Sequence, residues 1–537
     1  MGIARKLVAT IDCGSSNVRC IIFDMESGTQ VSVSAADWYV PQNGEIEGAY
    51  DFDDRINWKL VCQCTRAALA KVRAEEIAAV TATGFRHGIF LLDRKQDEIV
   101  YGCFNMDSRM DSTYIREHGL EKTIFEQTGD WPTLHGLPRL MWLKANKPEQ
   151  FDRVTDAMLV SDWVAYKLSG EIAVEPGDAS STLLLDVRQR KWSADIASAC
   201  KIPMDILPKV VDAGTVIGSV TAAAAEETGF LKGTPVVCGV ADTQAGLVGV
   251  GAVGLDTSAI VGGTYWLVCH STGTPVVDPE YRTRLSCHSE KGQWIYEGIG
   301  YFHGLIIRWF RDAFGAEEKE IAKRYGLSAY TLLDALTRDV PAGSYGLQVL
   351  MSDIANQSCW RHAAPTFTGW NILDPTKSHK GVFFKALLEN ACYVAYGEYE
   401  NIRRILASDT IPRSVLLSGG AAHSPVWCQI LSDVLDRPVY TPREREGTAL
   451  GGAIYAAIGM GLYKDTAEAV KAVVKPDLVF EPNRENHEVY MQEYARWREL
   501  YKNGLELVGR GLVKSMWQPA STLTEIQRQN PWHLRNC

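Results

Sequence analysis

The sequence predicts an α/β protein of two halves that face each other across a cleft. Three observations lead there. "LVATIDCGSSNVRCIIFD" (7–24) is an apolar run, a cluster of small polar residues and a second apolar run, the pattern of strand–turn–strand. "TSAIVGGTYWLVCHS" (257–271) repeats that pattern past the middle of the chain. "PRSVLLSGGAAHSPVWCQILSDVL" (412–435) then gives strand, Gly-Gly and helix. At 537 residues the chain exceeds what one hydrophobic core supports. A cut near residue 253 gives an N-terminal half, 1–253, and a C-terminal half, 254–537. Each then opens on a candidate phosphate loop, although the repeat lies in the pattern and not in residue identity.

The elements follow in order. Turn signals after "VRCIIFD" lead to "TQVSVSAADWYV", a third strand. Gly14 and Asn17 stand in the first turn as residues that tolerate positive φ. "DDRINWKLVCQCTRAALAKVRAEEI" carries Trp58, Val61 and Leu69 at helical spacing. "AAVTATG" and "GIFLLD" return to strand, and "TPVVCGV" ends in an acid, Asp242. The following stretch, 246–254, reads as a mobile glycine-rich hinge.

Bulk composition narrows the function. Hydrophobic residues are 46% and charged ones 22%, an ordinary globular balance. A net charge of −10 argues against a broad nucleic-acid surface. No apolar run reaches the roughly 18 residues a membrane helix needs. The 13 cysteines show no framework spacing and no Cys-x-x-Cys pair, and the N-terminus has no signal-peptide core. A reducing, cytoplasmic setting is the expectation. The expected partner is a small molecule, with neither nucleic acid nor membrane.

Several residues can carry chemistry. Backbone N–H groups in small-residue turns can point at phosphate oxygens, with Ser15, Ser16 and Thr264 adding hydroxyl donors. Asp12 beside the first turn suits Mg²⁺ or its waters. Asp242, at a strand end and opening a helix, reads as an N-cap or as a base that takes a proton from an attacking hydroxyl. Gly419 and Gly420 between strand and helix suit a nucleotide. "GFRHG" (84–88) sets Arg86 and His87 at a strand corner. "GVGAVG" (249–254) matches G-x-G-x-x-G but lacks the preceding strand and the later acid, so a dinucleotide site is rejected.

Together these stretches resemble the FGGY carbohydrate kinases of the actin/hexokinase/Hsp70-like superfamily. "DCGSSNVRCIIFD" resembles their first phosphate loop, "GVADTQAGLVG" the segment of the catalytic aspartate, and "VGGTYW" the second phosphate loop. "LSGGAAHSPVWCQILSDVLDRPV" resembles the adenosine-binding segment and "EGTALGGAIYAA" the helix after it. The resemblance implies two actin/hexokinase-like (ribonuclease H-like) domains with the active site between them. It implies an ATP-dependent kinase with Asp242 as the base and Asp12 near Mg²⁺. Gly14, Ser15 and Ser16 would surround the γ-phosphate, with Gly262, Gly263 and Thr264 as the second phosphate contact. Gly419, Gly420 and Ala421 would line the adenosine pocket. Arg86, His87, Asp107 and Asp242 would meet the acceptor, with Arg109 in support.

Within the family, "SDWVAYKLSGEIAVEP", "YFHGLIIRWFRDAFGAEEKEIA", "WRHAAPTF" and "MWQP" are similar to the branch acting on the open-chain autoinducer-2 signal. That branch and glycerol kinases often read Arg-Glu at the corner, where this chain has Arg86-His87. Xylulose kinases often carry His there, so a pentulose or polyol acceptor is the alternative. A non-catalytic ATP-binding module of actin or chaperone type is the alternative of another class.

Overall fold

The computed structural model describes residues 6–516 except 264, 301, 352–361, 410, 444 and 445. Thr264 and parts of the "WRHAAPTF" and "MWQP" stretches thus lie outside the described residues. The chain begins with β1 (Leu7–Cys13), β2 (Asn17–Asp24) and β3 (Thr29–Asp37), an antiparallel meander. Neither Gly14 nor Asn17 has positive φ, contrary to the expectation from their residue types. Cys13 pairs with Val18, so four residues span the turn and the left-handed backbone of a two-residue hairpin loop is not required.

Helix α1 (Asp54–Leu69) starts where the Asp53 side chain accepts from the Ile56 N–H, and it buries Trp58, Val61 and Leu69. It leads to β4 (Ile77–Gly84), parallel to β1. Strands β5 (Ile89–Asp93), β6 (Glu98–Cys103) and β7 (Asp156–Met158) form a small side sheet. Helices α2 (Gly136–Asn146) and α3 (Val160–Ser169) flank it. Strands β8 (Val216–Ser219), β9 (Pro235–Val237) and β10 (Val240–Ala241) complete the first main sheet, in the order β8-β9-β4-β1-β2-β3 with β10 on β4.

Helix α4 (Asp242–Gly249) leaves that sheet. The second sheet uses β11 (Ser258–Gly262), β12 (Trp266–Thr272), β13 (Arg284–Cys287) and β14 (Trp294–Gly300). Helices α5 (His303–Phe314), α6 (Ala329–Ala335) and α7 (Lys380–Leu406) follow. Then come β15 (Val415–Gly419), α8 (Pro425–Leu435), β16 (Val439–Pro442), α9 (Gly447–Gly459) and β17 (Pro476–Phe480). The strand order is β13-β14-β12-β11-β15-β16-β17. In both sheets the strand that opens the hairpin is antiparallel to its successor and parallel to a later strand on its other side. The repeat seen in the sequence pattern is therefore a repeat of topology.

Two helices join the sheets. α4 lies between the two: Ala245 and Val248 pack in one cluster with Val8, Ala79 and Val237 of the first sheet, while Leu247 and Val250 pack with Ala259, Cys269 and Ile295 of the second. α9 follows the second sheet but lies on the first, where the Thr10 hydroxyl donates to the Ala449 carbonyl at 2.9 Å. The two helices touch through glycines: a Cβ on Gly451 would stand 1.8 Å from the Ala245 carbonyl, and one on Gly249 would stand 1.8 Å from the Gly447 carbonyl. Residues 246–249, expected as part of a loose glycine-rich stretch, are the packed face of a buried helix. Only Gly251 and Gly254, beyond the helix, have positive φ.

Candidate active site

Three parallel strands bring the first group of residues together. Asp12 is the next-to-last residue of β1, and its neighbours in register are Thr83 on β4 and Arg19 on β2. Val240 and Ala241 of β10 pair with Thr83 and Gly84. Asp12, Arg86 and Asp242 therefore gather at the carboxyl ends of adjacent strands, where α/β folds bind ligands.

Asp12 is buried. One carboxylate oxygen accepts from the Thr83 hydroxyl at 2.9 Å, and the other is paired with Arg19. Arg19 also reaches Glu446 at 2.5 Å, immediately before α9, and so links the two halves. The tip of the hairpin is exposed at Ser15 and Ser16, with Asn105 donating to the Ser15 hydroxyl at 2.9 Å. Trp38 holds the turn from behind through its indole N–H on the Gly14 carbonyl at 2.8 Å.

Asp242 is the first residue of α4, and Ala241 occupies the cap position, so the N-cap role falls away. Its Oδ1 accepts from the Thr243 N–H at 2.6 Å, and the Arg86 Nε lies 3.9 Å away. Burial raises its pKa, with Arg86 opposing and Asp12 adding to the rise. A carboxylate so raised is a stronger base than an exposed one.

The Arg86 corner is more committed than its sequence implies. Its two terminal nitrogens donate to Glu297 of β14 at 2.7 and 2.8 Å, a buried bidentate pair between the halves. Burial alone would lift Glu297, but Arg86 outweighs it and the pKa is lowered. His87 takes positive φ, 73°, and its carbonyl accepts from Arg139 Nε at 2.7 Å. Its ring meets His135 edge-on at 4.6 Å. Burial, then the charges around it, depress its pKa far enough to keep it neutral, and its Nδ1 has no hydrogen-bond partner.

Asp107 does not share this corner. Its carboxylate is fully buried and taken up by the Tyr50 N–H at 2.7 Å and by Arg109. Among the described residues it connects to the corner through Arg139, which donates to the carbonyls of His87, Asn105 and Asp107. Arg139, Arg19 and Glu297 escaped sequence reasoning: Arg139 and Glu297 meet Asp107 and Arg86 at 32 and 211 residues' distance, and Arg19 joins the nearby Asp12 to Glu446, 427 residues on.

In the second half, Gly262 ends β11 and Gly419 ends β15, side by side in register. Gly419 has φ 80°, and a Cβ there would stand 2.7 Å from the Gly262 carbonyl. Glycine is required by that approach. A cavity of about 520 Å³ opens beside them, lined among others by Gly263, Gly420, Ala421, Ile307, Phe384 and Trp427. A second, of about 170 Å³, is lined by Asp242, Gly419 and Gly447. The two cavities flank the same pair of strand ends.

Residues 7–249 match the N-terminal domain of the FGGY family of carbohydrate kinases, and residues 252–460 match its C-terminal domain. The chain belongs to that family. It is an ATP-dependent carbohydrate-type kinase with the two-domain actin/hexokinase-like fold. An autoinducer-2 kinase of Enterobacter sp. (strain 638) is 40% identical over 528 residues, 97% of this chain and 98% of the relative. One from Yersinia pestis bv. Antiqua (strain Angola) is 38% identical over 515 residues, 95% and 96% of the two chains. In fold the chain is similar to the xylulose kinase of Rhodospirillum rubrum, with TM-score 0.78, 24% identity and coverage of 93% and 98%. The Plasmodium falciparum glycerol kinase with ADP gives TM-score 0.81 at 15% identity, with the same coverage. Among the described residues no helix is long and apolar enough to cross a membrane. No group of three or more His, Cys, Asp or Glu residues there could hold a metal ion.

Proposed function

We propose that this chain transfers the γ-phosphoryl group of ATP to a terminal hydroxyl of open-chain autoinducer-2, a five-carbon dihydroxy-dione, in quorum sensing. The observation that carries this reading is 40% identity over 97% of the chain to a relative named for that activity. The residues are consistent with it. Asp242, raised by burial and close to Arg86, takes the proton of the attacking hydroxyl. Arg86, held by Glu297 beside Asp242, and the unpaired Nδ1 of His87 mark the acceptor side of the site. Gly14, Ser15 and Ser16 face the phosphates from one half, with Gly262 and Gly263 facing them from the other. Gly419, Gly420 and Ala421 border the 520 Å³ cavity as the adenosine wall.

Mg²⁺ fits the donor set, since that ion takes one or two carboxylates and completes its shell with phosphate oxygens and water. Asp12 would hold it, and the metal would neutralise charge on the transferring group. A three-residue protein cluster is not needed for that role.

A pentulose acceptor has one observation in its favour, the neutral His87 at the corner. A product-detecting kinase assay across the autoinducer-2 precursor, xylulose, ribulose, glycerol and erythritol separates the readings. The highest kcat/KM is expected for the autoinducer-2 precursor. A clear preference for xylulose would overturn the choice of acceptor and leave the reaction class intact.

A further inference from the structure

The 520 Å³ cavity has a mixed lining: glycines and the apolar Ile307 of α5, Phe384 and Leu388 of α7 and Trp427 of α8 on one hand, and polar groups that include Arg308, a cation suited to phosphate, on the other. One acid lines it, Asp334 of α6. A carboxylate is misplaced in a cavity for an anionic ligand unless it faces a part of that ligand rich in donors. The phosphates belong near the glycine turns at Gly263 and Gly420, and the ribose is uncharged. What remains is the nucleobase, whose apolar faces suit Phe384, Leu388 and Trp427.

Ser424 lines the same cavity as Asp334, and its hydroxyl accepts the cap bond of α8 from the Trp427 N–H at 3.1 Å, which leaves its own proton available to an acceptor in the cavity. Asp334 is only partly exposed, and burial pushes it up to about 6 with Ser424 opposing. It is still a carboxylate at pH 7.5, and it lines the cavity as an acceptor. A base donor would pair with it.

We propose that Asp334 is a specificity-determining residue for the phosphoryl donor, accepting a hydrogen bond from the 6-amino group of adenine. The inference rests on the reading of the 520 Å³ cavity as the nucleotide pocket. Inosine triphosphate, with a carbonyl in place of that amino group, would set an oxygen against the carboxylate. A hydrogen bond to a charged group is worth about 1.5–3 kcal/mol, so ATP should be preferred by roughly 10–100-fold in kcat/KM. Asp334→Asn offers an amide that can donate to a carbonyl or accept from an amine, so the preference should shrink to a few-fold.

The test measures kcat and KM for ATP and inosine triphosphate with the wild-type enzyme, Asp334→Asn and Thr331→Trp, at saturating acceptor. Thr331 is exposed and lines the same cavity, so the indole should fill it without disturbing the core. Support would be a wild-type preference for ATP that collapses in Asp334→Asn through KM, with a raised KM for both nucleotides in Thr331→Trp. Equal loss for both nucleotides in Asp334→Asn, or no wild-type preference, overturns the role of Asp334. An unchanged KM in Thr331→Trp overturns the placement of the nucleotide, which is a separate failure.

Discussion

Asp242→Asn keeps the shape of the side chain and its bond from the Thr243 N–H but removes the base. A loss of order 10²–10⁴ in kcat is expected, with nucleotide affinity nearly unchanged by titration. Activity within a few-fold of wild type would remove Asp242 from the chemistry. Burial raises Asp242, and catalysis needs its unprotonated form, so kcat/KM should fall on the acid side at a pH above the ordinary carboxylate range. Arg86 opposes that rise, yet replacing it alone would strand the fully buried Glu297, a change that costs about 3–5 kcal/mol. The double variant Arg86→Met with Glu297→Met removes both charges together. It should fold and show an acid limb moved to higher pH. Its KM for the acceptor should rise far more than its KM for ATP; an equal rise would place Arg86 outside the acceptor pocket. The buried pair Asp162 and Asp178 offers a test of stability against pH. Burial, reinforced by their mutual repulsion, raises Asp178 well above its ordinary value. A carboxyl raised in the folded state favours folding at low pH and loses that advantage as pH rises past its unfolded value. Asp178→Asn should therefore raise Tm at pH 8 relative to wild type by more than at pH 5.

Among the elements, the pair α4 and α9 is the most exacting. Gly451→Ala would set a methyl 1.8 Å from the Ala245 carbonyl, which is backbone and cannot rotate away. Such overpacking costs typically about 1–3 kcal/mol. Gly44→Ala meets nothing within 4 Å, and its effect should stay within about 0.5 kcal/mol. Thermal denaturation of the two variants should show a clear drop in Tm for the first and none for the second. Equal Tm values would mean that the helices separate freely. Glycine explains why 246–254 misleads in sequence: the same residue marks a loose loop and a close helix contact, and only the partner helix about 200 residues later distinguishes them.

For the whole molecule, the helices that join the sheets make a natural pivot. α4 packs on both sheets and α9 crosses from the second half to the first, while buried pairs link the halves at Arg86–Glu297 and at Asp130–Arg284, 3.1 Å apart. If the phosphate loops of the two halves act on one nucleotide, they must approach for transfer, and their approach excludes water that would hydrolyse ATP. Binding of an acceptor together with a non-hydrolysable ATP analogue should lower the radius of gyration in small-angle scattering, with motion about α4 and α9. A profile insensitive to ligands, with fast ATP hydrolysis in the absence of acceptor, would contradict closure.

Local sequence by itself determined the elements, while the reaction class came from the resemblance of their motifs to a known family. The hairpins at 7–24 and 258–272 and the helix over Trp58, Val61 and Leu69 follow from period and turn chemistry, which act over a few residues. The candidate ends of strands, Asp12, Asp242, Gly262 and Gly419, were legible for the same reason. Tertiary structure alone decided how committed each side chain is. Arg86 turned out to be bound to Glu297, Asp107 to Arg109, and Asp12 to Arg19 and Thr83. It also decided that α9 covers the first sheet and that Asp334 stands in the cavity. A buried charge must find a partner, but nothing in its own neighbourhood of sequence says which one, because the pairing is made by strands and helices that meet only when both sheets have formed.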